Sequence, residues 1–202
     1  MRIVLLGPPA AGKGTQGRRL AARFGGAHVD TGELLRSHVE RGTELGRTAR
    51  GYMERGELLP DELVIAVTAE RLAEPDCAEE FVLDGFPRTV PQAEALDRLL
   101  AERGSPLHAV VELRISTEEL HRRVAERAKE QDREDDEDAD ALRRRVDTYE
   151  KETRPLVDYY LRRGLLLEVD GIGSIEQVSE RIEERLAARA RELGAEPREG
   201  SR

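Results

Sequence analysis

The chain has little cysteine and no long apolar run, and each shortage excludes a class of protein. One cysteine in 202 residues, Cys77, excludes an internal disulfide and a zinc site built from cysteines. No apolar run approaches the length that a membrane-spanning helix needs. The chain begins MRIVLLG, without a signal-peptide cleavage pattern. We therefore expect a protein of the reducing cytoplasm.

Lysine is also scarce, which draws attention to the few that occur. Lys13, Lys129 and Lys151 are the only lysines, and arginine accounts for the rest of the 33 lysine and arginine residues. The formal net charge of -9 argues against nonspecific binding to nucleic-acid polymers, although a local basic pocket can exist in an acidic protein. The length suffices for one substantial hydrophobic core.

Short apolar runs alternate with helical patterns along the chain. Five of these runs predict buried strands, at residues 2–6, 27–29, 81–84, 109–115 and 165–170. Their apolar residues are continuous rather than alternating, which is typical of strands covered on both faces in a parallel sheet. The order of the elements predicts an α/β fold.

Helix starts and polar inserts complete this outline. The letters SIEQ at 174–177 predict a capping box, and Asp30 with Glu33 predicts a similar helix start. Two stretches interrupt the alternation of strands and helices, a helical insert from about 31 to 60 and a polar segment at 126–145.

The stretch GPPAAGKGTQ, residues 7–16, follows the first predicted strand and leads into a helical pattern. Gly7 and Gly12 permit backbone conformations in which successive N–H groups point inward, and the following helix adds its positive end. The spacing G-x-x-x-x-G-K predicts a phosphate-binding loop, with Lys13 reaching the β- and γ-phosphates. Gly14 stands where the general motif has Ser or Thr, and Thr15 follows it.

The letters GKGTQ resemble the nucleoside monophosphate kinases, and the adenylate kinases most closely. Further segments resemble that family in the same order, namely DTGELLR (30–36), RGELLP (55–60), FVLDGFPRTVPQA (81–93), RVAERAKEQDREDD (123–136), RRRVDTYEKETRPLVDYY (143–160) and VDGIGSIEQV (169–178). The resemblance implies a P-loop NTPase fold with a five-stranded parallel sheet flanked by helices. It divides one kinase domain into a core (1–29, 61–125 and 146–194), an AMP-binding insert (30–60), a short lid (126–145) and a frayed tail (195–202).

The resemblance further implies reversible phosphoryl transfer from Mg²⁺-ATP to AMP, giving two ADP, by a cytoplasmic monomer without zinc and without nucleic-acid or membrane partners. The catalytic residues would be Lys13, Arg88, Arg127, Arg133 and Arg145. The ATP site would comprise Ala10, Ala11, Gly12, Lys13, Gly14, Thr15, Arg123, Arg127 and Gly173. The AMP site would comprise Thr31, Arg36, Glu57, Leu58, Leu59, Gly85, Phe86, Pro87, Arg88, Gln92, Arg133 and Arg145. Asp84 would bind Mg²⁺ through water.

Two residues of this chain could correspond to the last arginine of the family's set. Counting back from Tyr149 selects Arg145, whereas counting forward from Arg133 selects Arg144. We prefer Arg145, because Tyr149 anchors the helix that must carry the side chain.

Three residues depart from the family pattern and keep other functions open. Ala10 replaces a P-loop glycine, Asp30 replaces a serine, and Asp132 replaces the glycine before the lid arginine. Because each is a candidate cause of reduced turnover, a nucleotide-binding regulatory protein with reduced catalysis is one alternative. The other is a UMP/CMP kinase, against which Thr31 argues, since those relatives usually carry alanine there.

Overall fold

A computed structural model of the chain describes residues 1–130 and 139–194, with side chains described except at 127–130 and 139–142. Five parallel strands form one sheet in the order β2-β3-β1-β4-β5. Their bounds are Arg2–Leu6 (β1), Ala27–Asp30 (β2), Phe81–Asp84 (β3), Ala109–Arg114 (β4) and Leu166–Asp170 (β5). This confirms the α/β fold and the five predicted strands, whose ends differ from the prediction by no more than one residue.

Helices connect the strands and cover both faces of the sheet. They are Lys13–Phe24 (α1), Thr31–Glu40 (α2), Glu44–Arg55 (α3), Asp61–Leu72 (α4), Val90–Glu102 (α5), Thr117–Glu130 (α6), Ala139–Thr148 (α7), Pro155–Arg162 (α8) and Ile175–Glu192 (α9). A short 3₁₀ turn at Pro75–Cys77 precedes β3, and a π-helical turn at Tyr149–Thr153 joins α7 to α8.

Local sequence explains where two of these helices begin. Ser174 caps α9 by accepting the Gln177 N–H bond, and the Gln177 side chain accepts the Ser174 N–H bond in return, so the predicted capping box is present. Asp30 caps α2 by accepting the Glu33 N–H bond at 3.1 Å. A cap of this kind typically contributes about 1 kcal/mol to helix stability.

The core is divided by the sheet into two clusters. The α4–α5 face contains Leu72, Leu96 and Leu100 together with buried residues of α2, α3 and α8. The α1–α9 face contains Leu20 and a stripe of α9 that comprises Val178, Ile182 and Leu186. Strand β1 supplies both clusters, because its successive side chains point to opposite faces.

Parallel pairing brings the predicted site residues to one edge of the sheet. Asp30 at the end of β2 lies in register with Asp84 at the end of β3, and Leu5 on the neighbouring strand pairs with Asp84 as well. The glycine-rich loop begins directly after β1. In open parallel sheets, ligands bind outside these carboxyl ends, and the fold therefore defines where the site must lie.

Candidate active site

The loop between β1 and α1 leaves the amino end of α1 open. Gly7 has φ +144°, and a Cβ there would lie 2.9 Å from the Leu113 carbonyl oxygen, so a larger residue does not fit. Gly12 precedes α1 in a left-handed conformation and makes no side-chain cap. The first N–H groups of α1 therefore remain available, and together with the helix dipole they favour an anion.

Lys13 lies at the start of α1 with its ammonium group turned back onto the loop. Its Nζ donates hydrogen bonds to the carbonyl oxygens of Gly7 at 2.8 Å and Pro8 at 2.9 Å. Both carbonyl oxygens are uncharged acceptors. A negatively charged phosphate oxygen would form a stronger hydrogen bond with the Lys13 ammonium group. Lys13 also lines the cavity that begins at this loop.

Two adjoining cavities occupy the carboxyl edge of the sheet. The larger, about 330 Å³, is lined by the glycine-rich loop and the first turn of α1. The smaller, about 70 Å³, combines apolar side chains such as Leu35, Leu59 and Val64 with charged residues and with two buried polar residues, Thr31 and Gln92. The residues shared by both cavities are Gly32, Arg36, Gly56, Leu58, Gly85, Arg88 and Arg145.

Three guanidinium groups thus meet where the two cavities join. Burial lowers the pKa of Arg88, and the positive charge of Arg145 and, more weakly, that of Arg36 lower it further, while Asp84 and Asp30 oppose the shift. Like charges held together in a buried position are costly unless an anion joins them. The arrangement therefore suits a highly charged anion such as a polyphosphate.

Asp84 is the buried carboxylate of this edge. It is 6% exposed and lines the larger cavity. Burial raises the pKa of Asp84, and the nearby charge of Lys13 counteracts that rise. A Cβ on Gly14 would lie 3.5 Å from Asp84 Oδ2, which places this carboxylate directly against the first turn of α1. An oxygen donor at this point is suited to a hard divalent cation.

Gln92 and Thr31 are the polar groups of the smaller cavity. Gln92 is 1% exposed, and its Oε1 accepts the Arg88 N–H bond at 2.7 Å while its Nε2 donates to Asp61 Oδ1 at 2.7 Å. Thr31 donates its hydroxyl proton to the Asp84 carbonyl at 3.3 Å. Each Gln92 amide atom still has capacity for one more hydrogen bond.

The predicted ATP-site residues do not all lie in these cavities. Ala10, Gly12, Gly14 and Thr15 line the larger one with Lys13, whereas Ala11 is buried beneath it at 2% exposed. Arg123 donates to the Gly171 carbonyl at 2.9 Å and to the Ala11 carbonyl at 3.4 Å. It therefore links the glycine-rich loop to the β5–α9 loop, which also holds Gly173.

The predicted AMP-site residues divide in a similar way. Those that line the smaller cavity are Thr31, Arg36, Glu57, Leu58, Leu59, Gly85, Arg88, Gln92 and Arg145. Pro87 lines the larger cavity, and Phe86 is buried behind it at 2% exposed. Arg133 and Asp132 lie outside the described residues, as does the side chain of Arg127.

The two candidate arginines of α7 point in different directions. Arg145 lines both cavities, whereas Arg144 is exposed and donates from Nε to the Arg55 carbonyl at 3.1 Å. One step along a helix rotates the side chain by about 100°. Because of that rotation, adjacent arginines on α7 reach different surroundings.

Sequence analysis missed two residues at this edge. Arg18 lines the larger cavity, and its position one turn after Gly14 on the same helix was the signal that could have identified it. Asp61 holds Gln92 but offers no comparable signal, since at the start of α4 it resembles any acidic residue in a first helical turn.

Ala10 is held in a conformation that suits glycine. Its φ is +63°, and it is the one non-glycine residue with positive φ among residues 1–130 and 139–194. For alanine this left-handed region costs about 1 kcal/mol. Glycine relieves that cost, but it also makes the unfolded chain more flexible, which offsets most of the gain. We therefore expect Ala10→Gly to leave stability within about 0.5 kcal/mol of the parent, measured from the midpoint of urea unfolding with an unchanged slope.

Ala11 provides the matched control for this change. It carries no positive φ and is buried in the α1–α9 face, so Ala11→Gly removes packing and adds flexibility to the unfolded chain. We expect this variant to be less stable by about 1 kcal/mol. Destabilisation by Ala10→Gly as large as that by Ala11→Gly would show that the positive φ at residue 10 stores no strain.

Comparison with known proteins agrees with this geometry. The family model described as adenylate kinase matches residues 5–165. An adenylate kinase of Stenotrophomonas maltophilia (strain K279a) is 48% identical over 182 residues, covering 90% of this chain and 97% of the relative. One from Thermobifida fusca (strain YX) is 48% identical over 190 residues, covering 94% of this chain and all of the relative. With a glycine-rich loop, a lysine and a junction of arginines in the matched region, the chain belongs to the adenylate kinase family.

Proposed function

We propose that the chain is an adenylate kinase that transfers a phosphoryl group reversibly from ATP to AMP, giving two ADP. The observation that carries this proposal is the junction of the two cavities, where Arg36, Arg88 and Arg145 converge. One cavity begins at the glycine-rich loop, and the other has apolar side chains and the Gln92 amide in its lining beyond the arginines. A donor triphosphate and an acceptor nucleotide would therefore meet end to end at the arginines.

The chemistry asks the protein for positioning and for neutralisation of charge rather than for covalent work. Lys13 would leave the Gly7 and Pro8 carbonyls to bind the β- and γ-phosphates, and the open N–H groups of α1 would hold the same phosphates. Arg88 and Arg145 would bind the transferring group and the acceptor phosphate by paired hydrogen bonds. Arg123, and within the lid Arg127 and Arg133, would complete the ATP side.

Asp84 is the residue that we propose to hold Mg²⁺, through water. Its buried carboxylate against the first turn of α1 fits a hard cation that keeps part of its water shell. When bound, the cation would neutralise negative charge on the phosphates. Among the described residues, no group of three or more His, Cys, Asp or Glu side chains is placed to hold a metal ion.

Water must be excluded, because it would otherwise accept the phosphoryl group. Segments 30–60 and 126–145 are the parts that we propose to close over the two nucleotides as AMP-binding insert and short lid. We further propose a cytoplasmic monomer that acts on free nucleotides. Within the described ranges, no helix has the length and apolar character needed to cross a bilayer.

A coupled assay of ADP formation with AMP, CMP and UMP as acceptors tests the proposal. Thr31 and Gln92 line the acceptor cavity, and a pyrimidine, which is one ring smaller than adenine, would leave at least one of their hydrogen bonds unmade while its phosphate stays at the arginines. An unmade buried bond costs about 1.4 kcal/mol or more, so we expect AMP to be preferred at least about tenfold in kcat/KM. Equal use of CMP or UMP would favour the pyrimidine alternative, and no ADP formation would favour a regulatory protein.

Asp30 should weaken AMP binding, because it competes with phosphate for Arg36. Asp30 Oδ2 lies 3.9 Å from Arg36 Nη2, and the two side chains are 10% and 22% exposed. Asn caps a helix as well as Asp does, so Asp30→Asn removes the charge and keeps the start of α2. We expect KM for AMP to fall about fivefold at low salt, and the difference to shrink as salt rises.

Glu33 is the matched control in the same helical turn. Its side chain is 52% exposed and pairs with Arg18 at 3.4 Å, so Glu33→Gln removes an equal charge from a solvated position. We expect this variant to leave KM for AMP within twofold of the parent. Equal effects of the two variants would mean that KM depends on the net charge near the start of α2 and not on the pairing of Asp30 with Arg36. An unchanged KM in Asp30→Asn would refute the competition with phosphate.

A further inference from the structure

A hydrogen-bonded network beneath the acceptor cavity fixes the orientation of the Gln92 amide. Gln92 Nε2 donates to Asp61 Oδ1 at 2.7 Å. The Thr89 hydroxyl donates to the same carboxylate, at 3.0 Å to Oδ1 and 3.1 Å to Oδ2. Thr89 in turn accepts the Gln92 N–H bond at 3.3 Å as the cap of α5. Asp61 therefore joins the start of α4 to the start of α5.

The two fixed partners of Gln92 distinguish its oxygen from its nitrogen. The Arg88 N–H can only donate, so it requires the amide oxygen at 2.7 Å. An ionised carboxylate can only accept, so Asp61 requires the amide nitrogen. A rotated amide would bring a donor against the Arg88 N–H and an oxygen against the carboxylate, and both contacts would be repulsive.

Gln92 lines the smaller cavity, and the bonding capacity that remains on its amide has a fixed order. One N–H and one oxygen lone pair remain after these two bonds. Adenine presents an amino donor beside a ring-nitrogen acceptor, whereas hypoxanthine presents a carbonyl acceptor beside a ring N–H donor. An amide of fixed orientation matches one of these two edges, and the same amide rotated by 180° matches the other.

We propose that Asp61 is a positioning residue that makes the acceptor site select 6-aminopurine over 6-oxopurine monophosphates. The proposal rests on the assignment of Gln92 to the acceptor base. Asp61 acts through the orientation of Gln92 and does not contact the nucleotide. An asparagine at this position can either donate or accept, so Asp61→Asn removes one of the two interactions that oppose the rotated amide.

The test compares AMP with inosine monophosphate as acceptors in the ADP-formation assay. In Asp61→Asn we expect KM for AMP to rise with kcat and the ATP KM nearly unchanged. We expect the preference for AMP over inosine monophosphate, as a ratio of kcat/KM, to fall about tenfold, the value of one charged hydrogen bond. Thermal unfolding checks the fold, and Asp61→Ser, with the same expected change in preference, replaces the Asn variant if that one unfolds.

Glu62→Gln is the matched control, because Glu62 is an exposed acid in the same first turn of α4. We expect it to leave the preference unchanged. We also expect Asp61→Asn to add nothing in a Gln92→Ala background. An unchanged preference in the Asp61 variants, or an equal change in the Gln92→Ala background, would overturn the proposal. If Gln92→Ala itself leaves the AMP KM and the preference unchanged, the failure lies in the assignment of Gln92 to the base.

Discussion

Lys13→Met is expected to lower kcat for ADP formation by at least about 100-fold while the protein stays folded. Lys13 lies at the start of α1 beside the glycine-rich loop, and its ammonium group donates hydrogen bonds to the carbonyls of Gly7 and Pro8. Removing one donor to a developing charge typically costs about 100-fold to 1,000-fold in rate. Methionine keeps much of the length and apolar stem of lysine, so the start of α1 should retain its packing. Steady-state kinetics with both substrates saturating gives the measurement.

Lys151 offers a control for the loss of a lysine charge. It is exposed in the π-helical turn before α8 and is not among the residues that line either cavity. Lys151→Met should keep the parental rate, and circular dichroism should show equal folding of both variants. A Lys13→Met enzyme that works at a near-normal rate would contradict the assignment of the phosphate-binding loop.

Arg145→Leu is expected to reduce kcat/KM for AMP by about 100-fold or more, whereas Arg144→Leu should change it by less than threefold. Arg145 lines both cavities and lowers the pKa of Arg88 through its charge. Its loss would leave the transferring group with one fewer paired donor, at a cost of about 3 kcal/mol. Arg144 is exposed on the Arg55 carbonyl, where an arginine contributes little.

The two variants form a matched pair, because they remove the same side chain from adjacent positions of α7. Thermal unfolding of both separates loss of the site from loss of the helix. A larger kinetic loss in Arg144→Leu would mean that the count forward from Arg133 identifies the functional arginine. Equal losses of kcat/KM would mean that the positive charge of α7 matters and that the position of the arginine on the helix does not.

The glycine-rich loop could be predicted from the sequence because its chemistry is local. Gly7, Gly12 and Lys13 lie within seven positions, and a strand before them and a helix after them suffice to form an anion site. The strands could be predicted from the sequence as well, since each is a short continuous apolar run. Their ends shifted by at most one residue because apolar residues can continue past the paired ones, as Ile115 does beyond β4 and Leu165 does before β5.

The polar network under the acceptor cavity could not be predicted, because it is formed by tertiary contacts. Asp61 meets Thr89 and Gln92 across 28 and 31 positions, and its own surroundings in the sequence indicate only the start of a helix. The choice between Arg144 and Arg145 had a similar difficulty. It depends on the rotation of α7 relative to the cavities, and counting residues from either side gave different answers.

The division of the core has a consequence for protein engineering. Val4 and Leu6 of β1 pack on the α4–α5 face, whereas Ile3 and Leu5 pack on the α1–α9 face, so the backbone of the sheet separates two sets of side chains that share no partner. Changes in free energy add to within about 0.5 kcal/mol for sites more than about 7–10 Å apart that share no partner, a condition that positions on helices of opposite faces meet and neighbouring residues of β1 do not. Cavity-filling substitutions found by separate screens of the two faces can therefore be combined in one chain, and their gains in thermostability should sum.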